Sequence, residues 1–418
     1  MSRGVGSRAW PVPRDFAPPP SSADHDRWAE SDRAARPARL ARLRARFGPA
    51  GVDAYFGMRR EHMRYLTGFT LADGEEKVAG TSGQFVVGGD DLAMLADSRY
   101  TIQAAREATE ARLVEAYQDL PARWLELMTS VGAQRVAVEA GFVPYAMWQR
   151  LAAAAPDVEL VPVEGWLEAD RAVKEPAEIE RIAAACAVAD RALAALLPEI
   201  RTDATEAGLA LRLEWLMRTG GAEALAFDVA CLSGPEAALP HGAPGERPIR
   251  AGTVLLFDFG AQVAGYRSDM TRTVFVGEPT PRDLDIFALV TRAQAAAIRA
   301  LEAAVGADGT TIDTSAPLPS GRAIDAIARG VIETAGQSAH FGHGTGHGIG
   351  LATHEAPSLG RLAPDDPLPS PTVFSVEPGV YLEGEMGVRI EDLVVLDASA
   401  GRLERLTRFP REVLVVGG

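Results

Sequence analysis

Carboxylates that fall inside strongly apolar, β-rich runs are the chemical anomaly of this chain, because an ionised Asp or Glu taken out of water needs a counter-charge or a bound cation. Two segments show it. The first, VLLFDFGAQVAGYRSDMTRTVFV (254–276), reads as two strands around a Gln-Val-Ala-Gly turn. A hairpin centred between Val263 and Ala264 sets Asp258 opposite Asp269, where facing side chains lie about 5 Å apart and like charges repel. The second, VFSVEPGVYLEGEMGVRIEDLVVL (373–396), turns at Glu383-Gly384-Glu385 and sets Glu377 opposite Glu391. A cation between the members of a pair turns repulsion into binding, and two such hairpins argue for a site that holds more than one divalent ion.

Between the hairpins lies HFGHGTGHGIGLATHEAP (340–357), with glycine at positions 342, 344, 346, 348 and 350. This alternation admits no G-x-G-x-x-G, which excludes a dinucleotide fingerprint. His343 and His347 are four apart, but the glycines between them oppose a helix. An extended strand puts both imidazoles on one face and leaves the glycines to let another backbone approach. With His241, His340 and His354, these make five of the chain's 7 histidines in its second half.

The elements that must position these groups follow from the rest of the chain. Its 418 residues suffice for two or three domains. A formal charge of −15 disfavours nucleic acid and anionic membrane surfaces as partners. No apolar run approaches the ~20 residues needed to span a bilayer. Cys186 and Cys231 both sit in apolar contexts and read as buried small hydrophobes, which excludes a disulfide scaffold. Residues 1–30 lack the apolar stretch of a secretory signal and are rich in Pro, Ser and charge, predicting a disordered extension on a cytoplasmic protein. Residues 34–47 predict an amphipathic helix with a solvated basic face. Alternating strands and helices through about residue 165 predict an α/β domain over 31–168. At Lys174-Glu175-Pro176 the character changes to a long amphipathic helix, and a second, α+β domain is predicted over 169–418. The segment 305–321 reads as a loop.

The runs DFGAQVAGYRSDMTRT, GHGTGHGIGLATHEAP and VEPGVYLEGEMGVRIED, preceded by LAFDVACLSGPEAALPHG, resemble the metallopeptidases of the pita-bread fold, specifically the proline-directed branch containing aminopeptidase P and prolidase. YLTGF and DSRYTIQA extend the resemblance to a creatinase-like N-terminal α/β domain, so that it covers about residues 35–416. It implies that Asp258, Asp269, His347, Glu377 and Glu391 ligate two divalent ions, with Asp269 and Glu391 bridging. His241, His343, His354 and Arg389 match positions used for substrate contacts and proton movement. The chain departs from the family pattern in lacking a glycine shortly before the Glu377 strand and in the length of 305–321, neither of which touches a ligand.

The resemblance implies hydrolysis of the bond between an N-terminal residue and a following proline. Glu377 would accept a proton from the attacking water, and His343 or His354 would donate to the developing oxyanion. The oxygen-rich ligand set suits Mn²⁺ and is compatible with Co²⁺, Fe²⁺ or Zn²⁺. A homo-oligomer, first of all a dimer, is expected. The rival readings are a prolidase confined to dipeptides, a methionine aminopeptidase, which usually lacks the companion domain, and a creatinase-like enzyme or non-catalytic binding module, against which the complete ligand set counts.

Overall fold

The computed structural model describes residues 16–72, 82–116, 120–309 and 317–417. Contacts divide the chain into two compact units, Ala23–Asp170 and the chain from Arg171 onward, the latter including the residues up to Ser22.

The first unit is built on a six-stranded mixed sheet in the order Arg112–Glu115, Leu92–Ala96, Gln84–Val87, Ala54–Gly57, Arg135–Glu139, Glu159–Val163. Its central strands are buried along their whole length, as continuous apolar runs such as AYFG and QFVV require. Phe56, packed edge-on against Trp124, anchors the core.

The first helix differs from its sequence expectation. It runs over Ser22–Arg44 and so begins inside the segment expected to be disordered, of which residues 1–15 lie outside the described residues. Trp28, 4% exposed, supplies an apolar anchor that residues 22–30 contribute to the core. Nor is the basic face wholly solvated, since Arg36 and Arg39 are buried. Arg39 donates to the carbonyl of Tyr65 at 2.9 Å while its guanidinium lies over the Tyr65 ring. Apolar arginine stems cover core surface here, which a charge count along the helix does not reveal.

In the second unit, helices span Pro176–Leu196, Glu206–Thr219, Pro281–Val305 and Gly321–Thr334. Pro176 opens the first, whose capping box pairs Glu175 with Glu178. Pro281 opens the third behind a Thr280/Asp283 capping box, and Gly306, in the left-handed region at φ 68°, ends it. Of the segment 305–321, residues 310–316 lie outside the described residues.

Two sheets carry the acidic hairpins. One has the order Val415–Val416, Met270–Val276, Thr253–Phe259, Ala230–Ser233, and the other Glu355–Leu359, Gly346–Gly348, Thr372–Val376, Asp392–Asp397, Arg402–Arg405. The helix Pro281–Val305 ties them together. Its first half packs Phe287 and Val290 into a core with Leu256, Phe275 and Ile390, and its second half packs Ala297 and Leu301 into a core with Phe374 and Val394. One helix thus fixes the spacing between the two hairpins. Cys186 and Cys231 are free and buried, as expected. Among the described residues no helix is long and apolar enough to cross a membrane.

Candidate metal centre

The first acidic hairpin is formed, but its register is shifted from the expected one. Thr271, not Asp269, faces Asp258, and Met270 faces Phe259. The turn lies at Ala264-Gly265, with φ of 47° and 83°, flanked by the pair Val263 and Tyr266. A centre one residue earlier would force β-branched Val263 into the left-handed region, whereas the observed turn places glycine in one of the two positions that need it. Because the displacement along the partner strand is two residues, Asp258 and Asp269 still share a face, now as diagonal neighbours.

The second hairpin has the expected register. Val376 faces Asp392 in one ladder and Gly379 faces Arg389 in the next, so Glu377 and Glu391 meet at the junction between them. Alternation along these strands brings Glu377, Gly379 and Tyr381 to one face with Arg389 and Glu391. Gly379 leaves room beside the Tyr381 ring, whose hydroxyl would lie 2.6 Å from an added Cβ.

Across its alternating glycines, positions 342–350, the histidine-glycine segment is strand only over Gly346–Gly348, so His343 does not share a strand face with His347 as the alternation suggested. The glycines do admit neighbouring backbone. A Cβ on Gly346 would lie 1.9 Å from the Ser375 carbonyl oxygen, and one on Gly348 2.1 Å from that of Ala356. Both glycines therefore let the His347 strand lie against the strands on either side of it.

Asp258, Asp269, His347, Glu377 and Glu391 all line one cavity of about 560 Å³, together with His241, His343, His354 and Arg389. Ligating atoms of Asp269, His347 and Glu391 lie within 4.8 Å of one another. His347 Nδ1 lies 3.0 Å from the Gly348 carbonyl and must donate to it, because a carbonyl only accepts. The Nε2 lone pair then faces Glu377 Oε1 at 3.3 Å and Asp269 Oδ2 at 3.6 Å, an acceptor set among acceptors. Glu377 is itself held by the Ser375 hydroxyl, which donates to its Oε1 at 3.0 Å.

Burial and the neighbouring carboxylates, Glu391 first, push Asp269 well above the usual carboxyl range. Burial and Glu377 do the same to Glu391. Burial raises Asp258 as well, against the pull of Arg389, which donates to Asp258 Oδ2 at 2.6 Å. Glu377 goes the other way: burial opposes its ionisation, but the charge of Arg389 and the donating Ser375 hydroxyl help hold the carboxyl below its ordinary value. Glu391 Oε2 accepts from Thr271 at 2.7 Å, while its buried Oε1 has no partner.

An unpartnered buried carboxylate oxygen, an imidazole lone pair pointed at two carboxylates, and the grouping of Asp258, Asp269, Glu377 and Glu391 in one cavity together fit divalent cations, which these residues would hold through hard oxygen donors and one nitrogen. Asp392, adjacent to Glu391, shows the contrasting case. Also buried, it accepts from Arg272, Gln294 and Thr407 and is satisfied within the protein.

Of the histidines, His343 is fully engaged. Its Nδ1 donates to the Gly344 carbonyl at 2.8 Å, so its Nε2 accepts from the Tyr381 hydroxyl at 2.8 Å. That leaves no nitrogen for an oxyanion, contrary to the role expected for it. His354 stands at the cavity rim with its ring centroid 4.1 Å from that of His347, and partial burial lowers its pKa to about 4. His241 is an exposed wall residue. Tyr381 and Thr271 were not singled out from the sequence. Tyr381 accepts from Arg389 at 2.8 Å, and Thr271 passes a hydrogen bond from Arg389 Nε to Glu391. The signal for Tyr381 was present in the alternation that places it two residues beyond Gly379 on the acidic face.

A creatinase-like α/β unit followed by an α+β unit with paired hairpin carboxylates and a strand-borne histidine defines a pita-bread, metal-dependent peptidase. Residues 39–173 match the Creatinase/Prolidase N-terminal domain and residues 180–398 match metallopeptidase family M24, to which the chain belongs. It is 33% identical to the peptidase YqhT of Bacillus subtilis over 90% of this chain and 100% of that one. Among solved structures it is similar to an Xaa-Pro dipeptidase from Bacillus anthracis, at TM-score 0.80 and 32% identity, covering 91% of this chain and 99% of that one. It is also similar to an X-Pro aminopeptidase from Thermotoga maritima, at TM-score 0.74 and 32% identity, covering 88% and 98%.

Proposed function

We propose that this chain is an Xaa-Pro aminopeptidase that releases the residue preceding a proline from peptides longer than two residues. The observation that carries the length preference is the state of Arg389. It is the sole Lys or Arg among the described residues lining the cavity, and it is committed to Asp258 and Tyr381. No free guanidinium remains there to hold a dipeptide's C-terminal carboxylate, so the chain can continue past proline. Phe227, Val229 and Pro240 supply an apolar wall suited to the prolyl ring. The two solved relatives carry dipeptidase and aminopeptidase names at the same 32% identity, so likeness does not separate the readings, and the engagement of Arg389 supports the aminopeptidase.

In this reading Asp258, Asp269, His347, Glu377 and Glu391 would hold two divalent ions. When bound, such ions acidify a water and polarise the scissile carbonyl. Mn²⁺ is the metal that best suits the oxygen-rich set. Glu377, ionised through its neighbours, accepts the proton of the attacking water. His354, whose ring is held by no hydrogen bond among the described residues, donates to the carbonyl oxygen as charge develops there. Arg389 and Tyr381 keep Asp258 and His343 in place, and the enzyme is expected to work as a dimer.

The test is hydrolysis of Gly-Pro, Gly-Pro-Ala and Ala-Pro-Ala-Ala by Mn²⁺-loaded protein, with products identified. Free alanine and Pro-Ala-Ala from the tetrapeptide, with Gly-Pro cut slowly, supports the aminopeptidase. Cleavage of Gly-Pro alone makes the protein a prolidase, and cleavage of none of the three rules out an Xaa-Pro peptidase.

A further inference from the structure

Glu355 follows His354 directly and lies in a buried cluster of charge that the proposed chemistry does not use. Its side chain is 3% exposed. Oε1 accepts from Lys174 Nζ at 2.7 Å, and Oε2 pairs with Arg171 Nη2. Both cations are buried, and Lys174 donates in addition to the Arg171 carbonyl at 2.5 Å. The Lys174 backbone is anchored in turn, its N–H donating to the Pro371 carbonyl at 2.8 Å, immediately before the strand that leads to Glu377. Gly350 makes room for the carboxylate, since a Cβ there would lie 2.4 Å from Glu355 Oε1.

The cluster closes one end of the loop that carries His354. The loop is also held through the Gly350 carbonyl, which accepts from the Arg267 N–H, through the Thr353 hydroxyl, which accepts from Arg267 and donates to the Ala226 carbonyl, through the Gly350 N–H, which donates to the Ala352 carbonyl, and through the Ala352 N–H, which donates to Glu355 Oε2 at 3.4 Å. All of these hold backbone or residues short of His354, and no hydrogen bond holds the His354 ring itself among the described residues. Its place beside His347 therefore depends on where the backbone on its C-terminal side is pinned. Three charges out of water are a costly way to achieve packing alone.

We propose that Glu355, clamped by Lys174 and Arg171, is the positioning residue that aims His354 into the cavity; this rests on the donor role given to His354 above. The carboxylate has an oxygen for each cation, and burial, which opposes its charge, is outweighed by Arg171 and Lys174. A glutamine has one oxygen and would turn its NH₂ toward one cation, releasing that side of the clamp.

The experiment uses Mn²⁺-loaded protein carrying Glu355→Gln, His354→Ala, both together, Lys174→Met or Lys174→Arg, with kcat, KM, bound metal and melting temperature measured for each. Positioning predicts that Glu355→Gln keeps its metal and a KM within about threefold, loses kcat about 30-fold, and costs nothing further on a His354→Ala background, as coupled sites do. Lys174→Met behaves the same way, and Lys174→Arg, which keeps the charge, retains most of kcat. Losses that multiply between Glu355→Gln and His354→Ala, an unchanged kcat, or metal loss in Glu355→Gln overturns it. Should Glu355→Gln not fold, the Lys174 variants with and without His354→Ala give the same decision. If His354→Ala alone leaves kcat unchanged, the donor role of His354 has failed, and with it the premise. If His354→Ala lowers kcat but the clamp variants add to it independently, the clamp alone has failed.

Discussion

Arg389 donates to Asp258 at 2.6 Å, so the one arginine of the cavity wall among the described residues is bound to a member of the candidate ligand set. Its charge offsets part of the repulsion among four acids, and its Nε reaches Glu391 through Thr271. The remaining repulsion falls on Asp269 and Glu391, the two groups that burial and neighbours push furthest from ionisation.

Asp269→Asn and Glu391→Gln test that distribution. Each removes a negative charge while almost preserving shape, so the metal-free variants should melt higher than metal-free wild type. Both should fail to retain Mn²⁺ and lose nearly all turnover. Activity within about tenfold of wild type, roughly 1.4 kcal/mol of barrier, would remove these two residues from the bridging role.

His354→Ala and His347→Ala separate a substrate-facing imidazole from a ligand. The first should keep metal and lose ~10²–10³ in kcat, the range for one donor to a developing oxyanion. The second should lose metal and activity together. Equal metal loss in both makes His354 a ligand.

Tyr381→Phe removes the hydroxyl shared by Arg389 and His343. It leaves His343 Nε2 without its donor and frees one arm of the guanidinium. The expected outcome is a folded protein with bound metal and kcat/KM lowered about tenfold, the scale of one buried hydrogen bond. Full activity would make the hydroxyl a packing contact.

Gly346→Ala places a Cβ against the Ser375 carbonyl, a backbone atom that cannot swing away. The His347 strand and the strand leading to Glu377 must then part. Thermal or chemical unfolding should show a loss of at least about 1–3 kcal/mol, and metal affinity should fall with it. An unchanged melting temperature would contradict the packing described.

Much of this was legible in the sequence, and what was not has identifiable causes. Strict alternation and a single glycine at the turn set the Glu377/Glu391 register, so that pair could be read directly. The Asp258/Asp269 register depended on which residues accept positive φ at a four-residue turn, and a two-residue slip along the partner strand keeps the same face. The glycine alternation at 342–350 promised a long strand, but hydrogen-bonded pairing covers only Gly346–Gly348, leaving His343 to be placed by Tyr381. The clamp at Glu355 joins residues 181 apart, beyond the reach of any local pattern.

Asp190 gives a pH dependence outside the centre. Fully buried, it accepts from the N–H groups of Arg408 and Phe409, yet burial raises its carboxyl from 3.8 to about 6. Between those values the folded protein holds a proton that the unfolded chain has lost, so stability falls as pH rises from about 4 to about 6 and the penalty is complete above that. Asp190→Asn removes this term. Its melting temperature relative to wild type should improve steadily across that window, and a flat difference would contradict the assignment.

The central claim is that the five residues Asp258, Asp269, His347, Glu377 and Glu391 hold the two ions on which peptide hydrolysis depends. The direct measurement is a titration of chelator-stripped protein with Mn²⁺, counting bound ions per chain while following alanine release from Ala-Pro-Ala-Ala. The account predicts no activity without metal, recovery that tracks occupancy, and saturation at about two ions per chain. Turnover by fully stripped protein, or a stripped protein that binds no Mn²⁺, would contradict it.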